Sequence, residues 1–229
     1  MKKNEEYVTS CVSTTTEVKR NDLTELVFII DKSGSMAGFE ADTVGGFNAT
    51  IEKQRAEEGR ALVSTVLFAG ECEVIHDRVD IKDIKPMTQK DYNAYGCTAL
   101  LDAIGGAIRH IGNVHKYARP EDVPAHTVFI ITTDGEENAS QSYSSSRVKE
   151  LIKEKTEKNG WEFIFLAANI DAVETADSIG IRRDRAANYR QTDNGIEKSF
   201  CAMSEAITMV RKSHADKMNL AEYLAEDNK

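Results

Sequence analysis

Proline is scarce in this chain, with three residues in 229, so neither a proline-rich linker nor a stiff extended repeat is encoded. Cysteine is sparse and scattered: Cys11, Cys72, Cys97 and Cys201 form no CxxC pair. That spacing excludes a disulfide framework and a paired-cysteine zinc site, and the four are expected as buried free thiols. The five histidines fall in no HxxxH or HExxH pattern, which removes the usual metalloprotease signature. Cations are outnumbered, giving a net charge of −9, and this argues against a general polyanion binder such as a nucleic-acid-coating protein. No apolar run approaches the roughly 20 residues of a membrane-spanning helix. The opening MKKNEEYVTS has lysines but no apolar stretch behind them, so a secretory leader is not expected and a cytoplasmic location is. GxGxxG and GK[ST] nucleotide loops are missing too.

What is present is a regular alternation of short apolar runs and amphipathic stretches. Leu26 to Ile30, Thr127 to Thr132 and Trp161 to Ala168 are continuous apolar segments of strand length, as expected for strands covered on both faces of a parallel sheet. Between them, residues 36–59, 99–114 and 144–158 carry apolar residues at helical spacing, and a further helix is expected over 196–213. Ala61 to Ala69 and Cys72 to Val79 are separated only by Gly70-Glu71; so short a link predicts an antiparallel hairpin at a sheet edge. The expected fold is therefore α/β, a doubly wound and mostly parallel sheet of about six strands with one antiparallel edge strand and helices on both faces. One domain over residues 23–213 is expected, preceded by a polar arm, 1–22, and followed by a polar tail, 214–229.

The strongest chemical signal is Leu26 to Ala37, LVFIIDKSGSMA. A buried strand ends in a carboxylate, Asp31, followed at two-residue steps by the hydroxyls of Ser33 and Ser35, with Gly34 allowing a tight turn. Such oxygens suit a hard cation better than zinc, which prefers nitrogen and sulfur. A second apolar strand also ends in a carboxylate, Asp134, and in a doubly wound sheet both should project at the rim where ligands bind. Thr98, in the loop GCTAL that leads into a helix, can add a third hydroxyl.

With DKSGSM at 31–36, Thr98 in GCTALLDAIG and Asp134 in TTDGEEN, the chain resembles the von Willebrand factor type A (VWA) domain over roughly residues 24–213, in a stand-alone bacterial form. Asp31, Ser33, Ser35, Thr98 and Asp134 match the family's metal-ion-dependent adhesion site. The resemblance implies Mg2+, with Mn2+ or Ca2+ as alternatives, held directly by Ser33 and Ser35 and by Thr98 directly or through water. Asp31 and Asp134 would hold coordinated waters. It also implies a protein partner whose Asp or Glu completes the cation's shell, and suggests an AAA+ ATPase or a stress-operon protein as that partner. Nucleic acid and membrane are not expected as partners, and no catalysis is expected. Glu136, Glu137, Glu40 and Asp42 should favour cation uptake.

A metal-dependent hydrolase or phosphatase at the same site is the rival function, weakened by the lack of an evident general base. A third possibility is a scaffold in which the cation only ties loops together. Elsewhere, Gly45-Gly46 suggests a tight helix crossing, Arg182, Arg183 and Arg185 a solvated turn, Cys97 a small residue filling a loop, and Trp161 a core residue.

Overall fold

The computed structural model describes residues 22–225; the N-terminal arm expected over 1–22 therefore lies almost wholly outside the described residues. Within them the chain runs β1 (Thr24–Asp31), α1 (Glu40–Ala56), β2 (Ala61–Phe68), β3 (Cys72–Asp80), α2 (Leu100–Tyr117) and β4 (His126–Thr133). It continues with α3 (Ser145–Asn159), β5 (Glu162–Ala167), α4 (Ala172–Ser178), β6 (Ala186–Asn188), α5 (Asp193–Arg211) and α6 (Leu220–Ala225). The six strands form one sheet in the order β3-β2-β1-β4-β5-β6. Every pairing is parallel except β2 with β3, the expected hairpin at the edge.

Strand periodicity divides the core in two. Leu26, Phe28 and Ile30 face one side with Phe47 and Ile51 of α1 and Met203 and Ile207 of α5. Val27 and Ile29 face the other with Ile104 and Ile108 of α2, Ile152 of α3 and Trp161. Alternate residues of β1 thus feed opposite layers, so both faces must be apolar and the strand reads as an unbroken hydrophobic run. The Gly45-Gly46 pair has the role expected of it at one position: a Cβ on Gly46 would lie 2.2 Å from the ring of Phe200, so α1 and α5 can cross this closely only over a glycine. Trp161 is in the core as expected, 3% exposed and stacked on Phe129 at 5.2 Å.

Helix ends follow local chemistry. Ser144 accepts the N–H of Arg147 at the start of α3, and Gly160, with φ of +65°, closes it. Asp171 caps α4 by accepting from Val173 and Glu174.

Three expectations are corrected. The described part of the segment expected as a polar tail, residues 214–225, packs on the domain: Met218 and Leu220 are buried in the α1/α5 layer, and residues 220–225 form α6. The reason lies in the arginine cluster, only part of which is a solvated turn. Arg182 and Arg183 are exposed, whereas Arg185 is 1% exposed. Its guanidinium pairs with Glu162 at 2.9 Å and donates to the carbonyls of Met218 at 2.6 Å and Ala215 at 2.5 Å, clasping the segment to the sheet. Finally, Cys72, Cys97 and Cys201 are exposed rather than buried, because each sits on an edge strand, a loop tip or the outer face of α5; Cys11 lies outside the described residues.

Candidate functional site

The strand order places β1 beside β4, where the chain's winding reverses, and the crevice at the carboxyl ends of these two strands is where a doubly wound sheet receives ligands. Asp31 is the last residue of β1 and Asp134 follows β4 directly, so the two carboxylates flank that crevice. Both are 1% exposed, as is Ser33, and Thr98 is 4% exposed; Ser35 alone of the five is open to solvent.

Each group is fixed by a specific contact. Ser33 N–H donates to Asp31 Oδ1 at 2.7 Å, and Thr133 Oγ1 donates to Asp31 Oδ2 at 2.6 Å. Ser35 Oγ donates to Asp134 Oδ1 at 2.7 Å and lies 3.2 Å from Ser33 Oγ. With its single proton given to Asp134, Ser35 can only accept from Ser33, and its remaining lone pair is free. The loop carrying the two serines is tied to the Thr98 loop by Gly34 N–H donating to Gly96 O at 3.0 Å; Gly96 itself, at φ of +78°, makes a turn that a side chain would strain.

Thr98 comes from that second loop. Its N–H donates to Asn138 Oδ1 at 2.9 Å, and its hydroxyl makes no hydrogen bond among the described residues. The following loop, 135–143, is held against the start of α2. Glu137 accepts from Leu101 N–H at 2.9 Å and from Ala139, Ser140 N–H and Ser140 Oγ, while Asp102 accepts the N–H groups of Gln141, Ser142 and Tyr143. Burial pushes the Glu137 carboxyl up, but those hydrogen bonds outweigh it and hold it below the ordinary carboxylate range. Glu137 is therefore engaged as a clamp between the loop and the start of α2.

Charge accumulates beneath the site. Burial raises the Asp31 carboxyl above its usual value, opposed by its hydrogen bonds from Thr133 and Ser33 and reinforced by the charge of Asp134. Tyr92 donates its hydroxyl to the carbonyl of Asp31, and Tyr189 donates to Thr133 O at 3.3 Å. Burial first, and then the neighbouring aspartates, push both phenols upward, so they stay protonated donors.

The donor set fits a hard divalent cation: two carboxylates and three hydroxyls, with no nitrogen or sulfur among them. One point tests the space. A Cβ built on Gly135 would lie 3.7 Å from Ser35 Oγ and 3.9 Å from Thr98 Oγ1, so the absence of a side chain at Gly135 keeps the gap between these hydroxyls open. All five residues chosen from sequence converge on this crevice.

Others were not foreseen. Gln191, in the connection between β6 and α5, donates its amide to Asp134 Oδ2 at 2.6 Å and to Ser35 O at 2.9 Å. Asn169, with φ of +57°, donates to Gln191 Oε1 at 2.5 Å and to Asp134 O at 3.3 Å. Thr133 orients Asp31. The only sequence signal for any of these was the position of Thr133 at a strand end beside Asp134.

No protein-family model and no curated protein matches the sequence. Among solved structures the chain is similar to proximal thread matrix protein 1 from the mussel byssus, with a TM-score of 0.54 at 15% identity over 81% of this chain and 46% of that one. A further structure of that mussel protein has a zinc occupied MIDAS motif. The chain is also similar to a von Willebrand factor type A protein from Catenulispora acidiphila, with a TM-score of 0.54 at 15% identity over 79% and 42% of the two chains. A third is BatB from Bacteroides thetaiotaomicron, with a TM-score of 0.51 at 14% identity over 82% and 99%. The chain spans less than half the length of the first two. Together with the sheet order, these likenesses establish the fold: α/β, Rossmann-like, of the VWA type.

Proposed function

We propose that this chain is a protein-binding module that recognises an Asp or Glu of its partner through a divalent cation held by Asp31, Ser33, Ser35, Thr98 and Asp134. The observation that carries this reading is the convergence of these five oxygen-bearing side chains from three separate loops on one crevice, four buried and Ser35 facing solvent. The hydroxyls of Ser33, Ser35 and Thr98 would hold the cation, with Asp31 and Asp134 behind them. When bound, the cation supplies an uncompensated positive charge that a partner's carboxylate can satisfy, because the hydroxyls themselves are neutral. Mg2+ is the proposed ion on donor chemistry, with Mn2+ and Ca2+ able to use the same oxygens.

Binding is favoured over turnover by what surrounds the crevice. Each described histidine contact lies elsewhere: His76 with Thr65, His110 with Asp77, His115 with Glu25 and His126 with Ser213. A histidine base able to activate water or a serine would have to be within hydrogen-bond reach. On the resemblance, the proposed partner is an AAA+ ATPase or a stress-operon protein, met in the cytoplasm. No helix among the described residues is long and apolar enough to cross a membrane.

The test is affinity capture from native lysate with Mg2+ against chelator, using the chain and its Asp31→Ala variant. Retention of a protein only with Mg2+ and only by the unsubstituted chain is the expected result. Capture unaffected by both chelator and substitution would remove the metal from recognition, and Mg2+-dependent hydrolysis of phosphoesters lost in the variant would favour the enzyme instead.

A further inference from the structure

We propose that the groove between α2 and α3 is a second binding surface, built for an acidic amphipathic segment of a partner protein and independent of the cation site. The groove encloses about 1020 Å³, and its lining holds five Lys or Arg, at 109, 116, 147, 155 and 158, against one acid, Glu154. This inverts the balance of the whole chain, which carries 29 basic and 38 acidic residues. A local reversal of sign in an acidic protein is the electrostatic footprint of an anionic partner.

Helical spacing explains how the walls form. Arg109, Gly112 and Lys116 fall on one stripe of α2, and Arg147, Leu151 and Lys155 on one stripe of α3. Arg109 and Lys116 are two turns apart, about 10 Å along the helix. Arg147 and Lys158 share their charge with Glu150 at 2.8 Å and Glu154 at 3.4 Å. Among the described residues no carboxylate pairs with Arg109, Lys116 or Lys155.

Lys155 is the most telling of the three. It is half-buried, its ammonium lies 5.1 Å from the centroid of the Trp161 ring, and it crosses α2 where Gly112 has no side chain; a Cβ there would lie 3.1 Å from Nζ. A cation held in a depression without an anion has given up solvent without gaining an ion pair, and an incoming carboxylate would supply one. The walls between the charges are apolar and partly open, at Leu151, Val123 and Tyr143. Carboxylates beside apolar side chains on one helical face match that pattern. A nucleic acid would match the charges but not the apolar walls, and would meet a strongly acidic molecule on either side.

The test uses the full chain in chelator, so that the cation site takes no part. A fluorescein-labelled Glu-rich amphipathic peptide is titrated and followed by anisotropy, with emission from Trp161, the chain's only tryptophan, reporting on the groove floor. Saturable binding that shifts Trp161 emission, and that weakens about tenfold or more in Arg109→Glu/Lys116→Glu and in Lys155→Ala, is expected. Lys82→Glu/Lys85→Glu, exposed residues away from the groove, should bind as the unsubstituted chain does. Unchanged affinity in the groove variants with native circular dichroism would overturn the proposal, as would the absence of peptide binding. Tighter binding of a single-stranded oligonucleotide of equal charge would overturn it in favour of nucleic acid. A concentration-dependent dimer abolished by Arg109→Glu/Lys116→Glu would overturn it in favour of a second copy of the chain.

Discussion

Asp31 is where the cost of the cation site is concentrated. Its carboxylate is buried, desolvation raises its pKa, and the charge of Asp134 raises it further. For an acid with a raised folded-state pKa, the contribution to stability is greatest below the unfolded value and is lost as pH rises through the folded value. Without a cation, an ionised Asp31 is therefore a burden on the fold. Asp31→Asn removes the charge while keeping the shape, so in chelator this variant should melt at or slightly above the unsubstituted chain, by up to a few degrees, and gain nothing from Mg2+. Differential scanning calorimetry in both buffers decides this, and a variant several degrees less stable in chelator would show that the carboxylate stabilises the fold instead. Gln191 was invisible in the sequence, since one glutamine in a polar connection has neither spacing nor pattern to mark it. Its amide bonds to Asp134 and to Ser35 O give it a defined effect. Removing a hydrogen bond to a charged group costs about 1.5–3 kcal/mol when buried, less here because Gln191 is partly open. Gln191→Ala should lower the melting temperature in chelator by about 2–4 °C. It should lose less in Mg2+, because a bound cation offsets the charge that Gln191 otherwise compensates. Equal losses in the two buffers would mean that Gln191 and the cation act independently.

Among the elements, those with strong periodicity were legible and those fixed by tertiary contacts were not. The apolar runs of β1, β4 and β5 announced a sheet covered on both sides, and the two-residue link between β2 and β3 announced the edge hairpin. The metal-type loop was readable because DKSGS compresses three oxygens into five residues at the end of such a strand. Residues after 213 misled because their composition is polar; among the described ones only Met218 and Leu220 are buried, and the segment is held by the Arg185 clasp, a contact over about 30 residues that no local pattern reveals. The setting of the 135–143 loop was hidden for a similar reason: Glu137, expected from sequence to favour cation uptake, also accepts the backbone N–H groups of Leu101, Ala139 and Ser140, contacts that no local pattern reveals. The helix crossing at Gly46 gives a direct check on packing. A methyl there must displace the body of the Phe200 ring, which overpacking makes costly by about 1–3 kcal/mol, while the gain in helix propensity returns about 1 kcal/mol. Gly46→Ala should thus melt lower, whereas Gly45→Ala, with nothing within 4 Å of its Cβ, should melt at or above the parent. Both values come from one thermal denaturation series, and a stabilised Gly46→Ala would contradict the tight crossing of α1 and α5.

At the scale of the whole molecule, acid should unfold the protein in stages. Burial lowers the pKa of His76 and of His126, so the folded state prefers them neutral. Their contribution is present above the unfolded value, about 6.5, and is lost as pH falls below it toward the lowered folded values. Glu57, held down by its hydrogen bond from Lys212, and Glu137 act in the same direction at lower pH, where their carboxylates take up protons on unfolding. Urea midpoints from pH 7 downward should fall first near the histidine range and again in the carboxylate range, and His76→Gln/His126→Gln should flatten the first fall. The fold brings these marginal devices together with a sheet whose switch point collects the side chains of three loops, and it is this convergence that the functional proposal rests on. The most direct measurement is calorimetric titration of Mg2+, and separately Mn2+, Ca2+ and Zn2+, into chelator-stripped protein and its Ser35→Ala variant. The account predicts one saturable Mg2+ site per chain that disappears in Ser35→Ala; no binding of any of these cations, or binding unchanged in the variant, would contradict it.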